Sequence, residues 1–358
     1  MSEASRMNTE NLFKTGCSLV GAVHVPALPG SADYAGDINK IIETTVMDSL
    51  AYVKGGCDAL IIENMHDVPY LNGAVEPETV AAMTACIIAA KKEVKVPLGV
   101  QLLAAANLHS LAVALACGLD FIRVEGFVFA HVGDEGLHQS SAAALIRKRA
   151  ALKANHIKIF ADIKKKHSSH AITADLSLGE CAHAAEFFKA DGVIVTGGRT
   201  GEAPDREYLE EAKKEVKIPV LIGSGVTAEN VGQYKDLANA LIVGSSLKKD
   251  GNWQNPVDIN RVQKLKQAII GVILVLLCMA PQAMAKSKNN GSPFTRAIDN
   301  YKANNLDQAR KDCLAVLKEC PRLTAAHYLM GNILLKQNQT DRAAAEYEYC
   351  IKVNDDKS

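Results

Sequence analysis

The sequence predicts an α/β protein built as a (βα)8 barrel, and two observations carry this prediction. Eight short apolar runs alternate with longer segments of helical periodicity, and a barrel of this type takes roughly 250 residues. The last two runs each enter a Gly-Ser turn, at 223–225 and 244–246. A doubly wound open sheet is the alternative, but the turn after the first strand, residues 24–30, lacks the Gly-x-Gly-x-x-Gly sequence of that fold.

The strand candidates share short runs rich in aliphatic residues, as expected of parallel strands that are covered by helices. They are residues 19–23, 59–62, 98–102, 121–124, 157–161, 193–196, 220–222 and 241–243. Each should be followed by a helix, and amphipathic segments lie between them at, for example, 38–53, 79–93, 142–154, 181–188 and 208–215. The pattern assigns residues 1–267 to the barrel.

The overall composition limits the cellular compartment and the classes of partner that we expect for this protein. Forty basic residues balance 40 acidic ones, so no net charge attracts nucleic acid, and we predict no nucleic-acid partner. Nine cysteines, an odd number with no Cys-x-x-Cys pair, predict reduced thiols. The first residues lack the apolar core of a secretory signal and the arginines of a transit peptide. We therefore expect the barrel to be cytoplasmic.

Residues 268–285 break this pattern. An apolar run of 13 residues, 268–280, follows Lys264 and Lys266 and precedes Ala283-Met284-Ala285. A basic region, a short apolar core and an Ala-x-Ala sequence are typical of a signal peptide. A membrane anchor over 268–284 is the alternative, and so is a buried final barrel helix, although that helix should be amphipathic. The segment predicts an anchored or exported form. Its interior position indicates a fusion protein or two reading frames merged in the gene prediction.

The C-terminal part is predicted to be all-α. Residues 286–293 form a polar linker, and in 294–358 the pattern at 306–309 recurs 34 residues later at 340–343. This period and the small residues at matching positions predict two tetratricopeptide-like repeats, which would form a protein-interaction module.

The paired Gly-Ser turns predict a phosphate site. In barrels of this class the turns after the last two strands commonly bind phosphate, because small residues let backbone N–H groups approach the oxygens. The predicted phosphate-binding residues are Gly223, Ser224, Gly225, Gly244 and Ser245. The predicted partner is a small phosphorylated ligand.

Polar residues at the strand ends predict the reactive part of the site, since catalytic groups of a barrel lie at the carboxyl ends of its strands. Arg123 and Glu125, like Asp162 and Lys164, are two residues apart and should share a face. We predict four catalytic residues: Asp162, Lys164, Glu125 and His167, with His170 as an alternative general acid–base. The predicted substrate-binding residues are His24, Glu63, Asn64, Arg123, Lys166, Thr196 and Thr200. The alternative is that the charged pairs are inter-strand salt bridges that close the barrel mouth.

His24, Glu63 and Asp162 are also considered as ligands of a divalent metal. No ligand-spacing motif supports this, so neither a metal nor any other cofactor is predicted.

Residues 16–266 resemble the BtpA family, also seen as SgcQ-type proteins. The matching motifs include Gly21-Ala22-Val23-His24, Ile62-Glu63-Asn64, Phe121-Ile122-Arg123, Ala161-Asp162 running to Lys166-His167, residues 191–197 with 200–201, residues 223–231, and 255–258. The resemblance implies a phosphate-binding barrel. The family's name comes from a link to photosystem I biogenesis, and no settled reaction is attached to it. Many bacterial members carry Arg-Asn-Asp after the third strand, where this chain has Ala104-Ala105-Ala106-Asn107.

Two functions follow from these observations. The first is an enzyme that binds and transforms a small phosphorylated metabolite, a sugar phosphate or a nucleoside derivative. The alternative is a non-catalytic biogenesis or stability factor for a membrane complex, with the helical tail as its interaction module.

Overall fold

The computed structural model describes residues 12–13, 16–197, 202–270, 293–321, 323–337 and 339–355. The chain divides into two units, Met1–Gly271 and Val272–Ser358, which are described separately below.

Eight parallel strands of the first unit form a closed barrel. The strands in chain order are β1 Ser18–His24, β2 Ala59–Glu63, β3 Leu98–Gln101, β4 Phe121–Val124, β5 His131–Gly133, β6 Gly136–His138, β7 Lys158–Ile163, β8 Ser168–Ser169, β9 Gly192–Val195, β10 Val220–Ile222 and β11 Ala240–Val243. The barrel runs β1-β2-β3-β4-β7-β9-β10-β11, and β1 pairs with both β2 and β11, which closes it. The eight predicted strands are confirmed, each within two residues at either end.

Helices surround the barrel. They are α1 Ile38–Gly55, α2 Pro77–Glu93, α3 Asn107–Cys117, α4 Ala142–Ala151, α5 Leu178–Phe187, α6 Arg206–Glu215 and α7 Ile259–Ile269. Local sequence sets their starts: the Asp37 side chain accepts hydrogen bonds from the N–H groups of Asn39 and Lys40, and Ser177 with Glu180 forms a capping box at α5.

The prediction of a helix after every strand is wrong at β10. A single 3₁₀ turn, Val231–Gln233, stands there in place of an α-helix. The Asn230 side chain accepts from the N–H of Thr227 and donates to the carbonyl of Gly225, so the chain folds into a compact hydrogen-bonded turn before β11.

The barrel interior is a packed apolar core. Its side chains come from alternate positions of the strands and are Val20, Ala22, Ala59, Ile61, Phe121, Phe160, Ile194, Leu221, Ala240 and Ile242. Phe13 fills the amino-terminal end, where its ring centroid lies 5.7 Å from that of Phe121 and 5.4 Å from that of Phe160. Phe13 therefore covers the interior at this end, and the carboxyl-terminal end of the barrel, where sites of this fold lie, is the place to look for one.

A small second sheet joins loops at that end and was not predicted. β5 pairs antiparallel with β6 and with β8, so the loop after β4 is joined to the loop after β7. Asn72, in the loop after β2, donates from Nδ2 to the carbonyls of Glu135 and Leu137, at 3.1 Å each. Three loops are thus connected over one side of the mouth.

The predicted signal-like segment 268–285 begins inside a barrel helix, because Ala268 and Ile269 belong to α7. This helix is amphipathic and buries Val262, Leu265 and Ile269. Residues 271–285 and most of the predicted linker lie outside the described residues, so the signal or anchor hypothesis stays a prediction. In the described ranges, no helix is both long and apolar enough to cross a membrane.

The second unit is helical, as predicted. Its helices are α8 Pro293–Lys302, α9 Leu306–Glu319, α10 Thr324–Lys336 and α11 Thr340–Asp355. They share a core to which Ala309, Cys313, Met330 and Ile333 contribute. Gly331 allows α10 to approach the ring of Tyr347 on α11, since a Cβ at this position would lie 2.5 Å from the ring. The assignment as tetratricopeptide repeats stays a prediction.

Replacement of Phe160 by Ala should destabilise the barrel by about 3–5 kcal/mol, because a cavity forms in an interior with no room to collapse. Trp253, the only tryptophan, lies in the barrel unit, so urea unfolding followed by its fluorescence measures this unit. Phe187, with 76% exposure, is the matched control, and its replacement by Ala should change stability by less than about 0.5 kcal/mol. Equal effects of the two variants would contradict the packed interior.

Candidate functional site

The mouth of the barrel carries one inward-facing residue from each strand. Each lies two positions beyond an interior residue of its own strand, so the alternation of side chains directs it into the barrel. The eight residues are His24, Glu63, Gln101, Arg123, Asp162, Thr196, Gly223 and Gly244. The polar ring lies directly above the apolar core.

Arg123 connects three strands of this ring. Its Nε and Nη2 atoms donate to Oδ2 and Oδ1 of Asp162 at 2.8 and 3.0 Å, and Nη1 donates to Oε1 of Glu63 at 3.3 Å. Burial acts to lower the pKa of Arg123, but the charges of Asp162 and Glu63 outweigh it and the pKa is raised. Asp162 therefore forms an inter-strand salt bridge, which is the alternative that the sequence left open.

A cavity of about 320 Å³ opens beside this ion cluster. The two Gly-Ser turns line it, and all five predicted phosphate-binding residues are among its walls. Four of the predicted substrate-binding residues line it as well: His24, Glu63, Arg123 and Lys166. The site thus brings together the turns of β10 and β11 with the imidazole of β1 and with charged groups from β2, β4 and the loop after β7.

The turns can approach His24 and the segment after β9 closely because glycines occupy the points of contact. A Cβ at Gly244 would lie 2.7 Å from Nε2 of His24. Gly225 has a φ of +77°, and its Cβ would overlap the backbone of Glu202 and Ala203. A larger residue at either position would displace the turn.

Three polar side chains of the cavity were not among the predicted site residues: Thr227, Ser246 and Arg261. The Ser246 hydroxyl donates to the carbonyl of Val226 at 2.8 Å and so ties the two turns together. Arg261, on α7, donates from Nη1 to the carbonyl of Ser246 at 3.2 Å. Ser246 was detectable as the last residue of its Gly-Ser-Ser turn, whereas only the docking of α7 brings Arg261 to the cavity.

Lys166 and Glu63 have opposite pKa shifts. Burial, followed by the charge of Arg123, lowers the pKa of Lys166 to about 8. Burial raises the pKa of Glu63, although Arg123 opposes it. The Thr196 hydroxyl accepts a hydrogen bond from the N–H of Lys166 at 3.2 Å and fixes the backbone there. Both shifts bring the pKa of the group closer to neutral pH, where a general acid or base works best.

His24 is a neutral group in this site. Its Nδ1 lies 3.1 Å from the carbonyl oxygen of Trp253, and burial with the charge of Lys248 lowers its pKa to about 3. Trp253 in turn lies against His66, with ring centroids 4.7 Å apart. His24 is therefore uncharged at neutral pH and can act there only as a polar contact.

The metal hypothesis for His24, Glu63 and Asp162 gains no support. The guanidinium of Arg123 lies between the two carboxylates and binds both. Across the described ranges, no group of three His, Cys, Asp or Glu side chains is arranged to hold a metal ion.

None of the four predicted catalytic residues lines the cavity: Asp162 is bound to Arg123 beside it, and the other three make contacts elsewhere. Lys164 follows the end of β7 with a φ of +44°, and its amino group donates to the carbonyl of Leu176, so the prediction that it shares a face with Asp162 is wrong. Glu125 is buried and paired with Lys165, with Nζ and Oε2 3.3 Å apart. His167 is exposed, with a pKa lowered by burial and by Lys166.

The remaining predicted residues form hydrogen bonds with neighbouring loops or lie outside the described residues. Asn64 accepts from the N–H of Leu103 at 2.8 Å and donates to Asp67 at 3.0 Å. His170 contacts the carbonyl of Lys165 through Nε2 at 2.9 Å. Thr200 lies outside the described residues.

A second polar cluster fastens the small sheet. The rings of His131 and His138 stack with centroids 5.0 Å apart, and Nε2 of His138 lies 3.1 Å from Oε2 of Glu135. Lys165 approaches the same carboxylate at 3.9 Å. Burial acts to raise the pKa of Glu135, but Lys165 and His138 outweigh it and the pKa is lowered. This cluster joins the sheet to the segment that carries Lys166.

Replacement of Arg123 by Met should destabilise the barrel by about 3–5 kcal/mol at pH 7, because Glu63 and Asp162 would remain buried without a cation. The loss should shrink as the pH falls, since protonation removes the uncompensated charges. Arg206, in an exposed pair with Glu210, is the control, and its replacement by Met should cost less than about 1 kcal/mol. An Arg123 variant as stable as this control would contradict the role given to the cluster.

The profile of the BtpA family matches residues 15–270. An uncharacterized protein of Caenorhabditis elegans, named as mitochondrial, is 43% identical over 270 residues, covering 74% of this chain and 97% of its own. The photosystem I biogenesis protein BtpA of Synechocystis is 35% identical over 264 residues, covering 74% and 91%. Among solved structures, a thiamine phosphate pyrophosphorylase from Pyrococcus furiosus is 15% identical with a TM-score of 0.44, covering 74% of this chain and 100% of its own, a likeness too weak to bear on activity. On the profile and the two sequence relatives, the chain belongs to the BtpA family.

Proposed function

We propose that this BtpA-family barrel binds the phosphate ester of a small metabolite and transforms it by proton transfer. The observation that carries the proposal is that both Gly-Ser turns and the cations Arg123 and Lys166 line one cavity. Backbone amides of small-residue turns and nearby cations are the groups that bind phosphate in proteins.

The phosphate end of the ligand would lie against the turns of β10 and β11. Gly223, Ser224, Gly225, Gly244 and Ser245 form these walls, and Arg261 adds a cation beside Ser246. Because Asp162 already neutralises part of the Arg123 charge, and Oδ2 of Asp258 lies 3.9 Å from Nε of Arg261, Lys166 supplies most of the remaining attraction for a dianion.

The reacting end would lie against Glu63 and Lys166. Glu63 as a carboxylate would take a proton, and Lys166 as an ammonium would supply one to a developing oxyanion. The roles first assigned to Asp162, Lys164, Glu125 and His167 have less support, since these side chains are bound in salt bridges, turned away or exposed. Neutral His24 would orient the ligand through a hydrogen bond.

The size of the cavity favours a compact ligand. Pockets for small molecules span roughly 300–1,000 Å³, and this one lies at the lower end of that range. A sugar phosphate or a small nucleoside derivative, the ligands expected from the sequence, fits this limit.

Phosphate binding is tested by Ser245→Glu, which places a carboxylate in the turn. The melting temperature of the full chain should rise with millimolar inorganic phosphate or with sugar phosphates, because a ligand of the native state stabilises it. In the variant this rise should disappear, because the carboxylate introduced at position 245 would repel the negatively charged phosphate. Ser169→Glu, on the exposed edge of the small sheet, is the control and should keep it. If no phosphate ester shifts the wild type, the proposed function is wrong.

Proton transfer is tested without knowledge of the product. In D₂O, a panel of aldose and ketose phosphates should exchange carbon-bound hydrogen in the presence of the wild-type chain, as measured by ¹H NMR. Glu63→Gln should reduce this exchange at least 100-fold while phosphate still raises the melting temperature. The exchange should decline above about pH 8, because Lys166 then loses the proton it supplies. Exchange by the Gln variant at the wild-type rate would remove Glu63 from the mechanism.

The second candidate is an assembly factor, favoured by the name of the Synechocystis relative. In this case the helical unit would be the interaction module, with the segment 268–285 as a signal or anchor. The Ser245→Glu chain separates the two functions, since it should restore a strain lacking the gene only if phosphate binding is dispensable.

A further inference from the structure

Gln101 is a buried polar residue of the mouth that has no role in the proposed function. It ends β3, and its side chain has 2% exposure. Gly99, two positions earlier, faces the ring of Phe121 in the barrel interior, so the side chain of Gln101 also faces inward.

Its position is next to the reacting groups. The register of the sheet pairs Gln101 with Glu63, and the pair Val100–Ile122 places Arg123 next on the other side. Both neighbours line the cavity, whereas Gln101 is not one of its lining residues and lies beside them. Gln101 thus lies between β2, which carries the reacting residue Glu63, and β4, which carries Arg123, across the barrel from the turns of β10 and β11.

Both polar atoms of its carboxamide lack a partner. Oε1 and Nε2 are fully buried, and no donor or acceptor of the described residues reaches either of them. Such groups are rare in native proteins, because a buried amide without hydrogen bonds loses its hydration and gains nothing. The loop that follows, residues 102–106, is entirely apolar, so the surroundings offer no substitute.

We propose that Gln101 recognises a carboxamide or lactam edge on the phosphorylated ligand, which deepens the proposed function and rests on it. A primary amide presents an acceptor and a donor in one plane, and an N–H beside a carbonyl is the edge that satisfies both at once. A single hydroxyl of a sugar cannot meet both atoms in that geometry. The ligand would therefore carry phosphate at one end and a neutral amide-type edge at the other.

The test compares phosphate esters that differ only at this edge. Phosphoglycolamide and hydroxyacetone phosphate differ by an NH₂ group in place of a CH₃ group, and 5-phosphoribonamide with the corresponding methyl ketone repeats the comparison on a longer chain. Calorimetry on the full chain should show at least a tenfold preference for the amide of one or both pairs. In Gln101→Leu the preference should vanish, whereas binding of inorganic phosphate should stay within twofold of wild type.

A second readout separates recognition from a structural role. Leu has nearly the volume of Gln without its polar atoms, so Gln101→Leu should raise the melting temperature of the ligand-free chain. A lower melting temperature, with the ester preference unchanged, would show that water or the protein satisfies the amide and would overturn the inference. Binding of inorganic phosphate with no preference for either amide would also overturn it and leave the proposed function intact, whereas no binding of any phosphate would refute both.

Discussion

The buried guanidinium of Arg123 is the interaction on which the mouth of this barrel depends. It binds Asp162 with two parallel hydrogen bonds and Glu63 with one, and so joins β4 to β7 and to β2. Three charged groups in a nearly dry environment are stable only while this geometry is complete. The cluster also fixes one oxygen of Glu63, which orients this carboxyl toward the cavity that Lys166 shares.

The barrel separates stability from chemistry along the strand axis. Below the mouth, the interior is aliphatic and aromatic and is closed by Phe13. Above it, each strand contributes one residue to the ring, with cations and carboxylates on one side and glycines on the other. This division explains how a site with several buried charges is tolerated: the apolar core provides the free energy of folding, and the cost of the charges is confined to one layer.

Much of the fold could be predicted from the sequence, and less of the site. The strands were visible because parallel strands buried on both faces are short aliphatic runs, and the Gly-Ser turns mark a known position in such barrels. β5, β6 and β8 are only two or three residues long and carry no such run. Lys164 was misplaced because its left-handed backbone ends the alternation of β7. The isolation of Gln101 depends on contacts between strands, which spacing along the chain does not record.

The small sheet makes one side of the barrel mouth more rigid than the other. Backbone pairing joins the loops after β4 and β7, and Asn72 attaches the loop after β2, so none of the three can swing outward without breaking bonds to another. The stiff half of the rim stands over the segment that carries Lys166. Under the proposed function, a ligand would then enter and leave over the opposite half of the rim, beside β10, β11 and β1, on the side of its phosphate group.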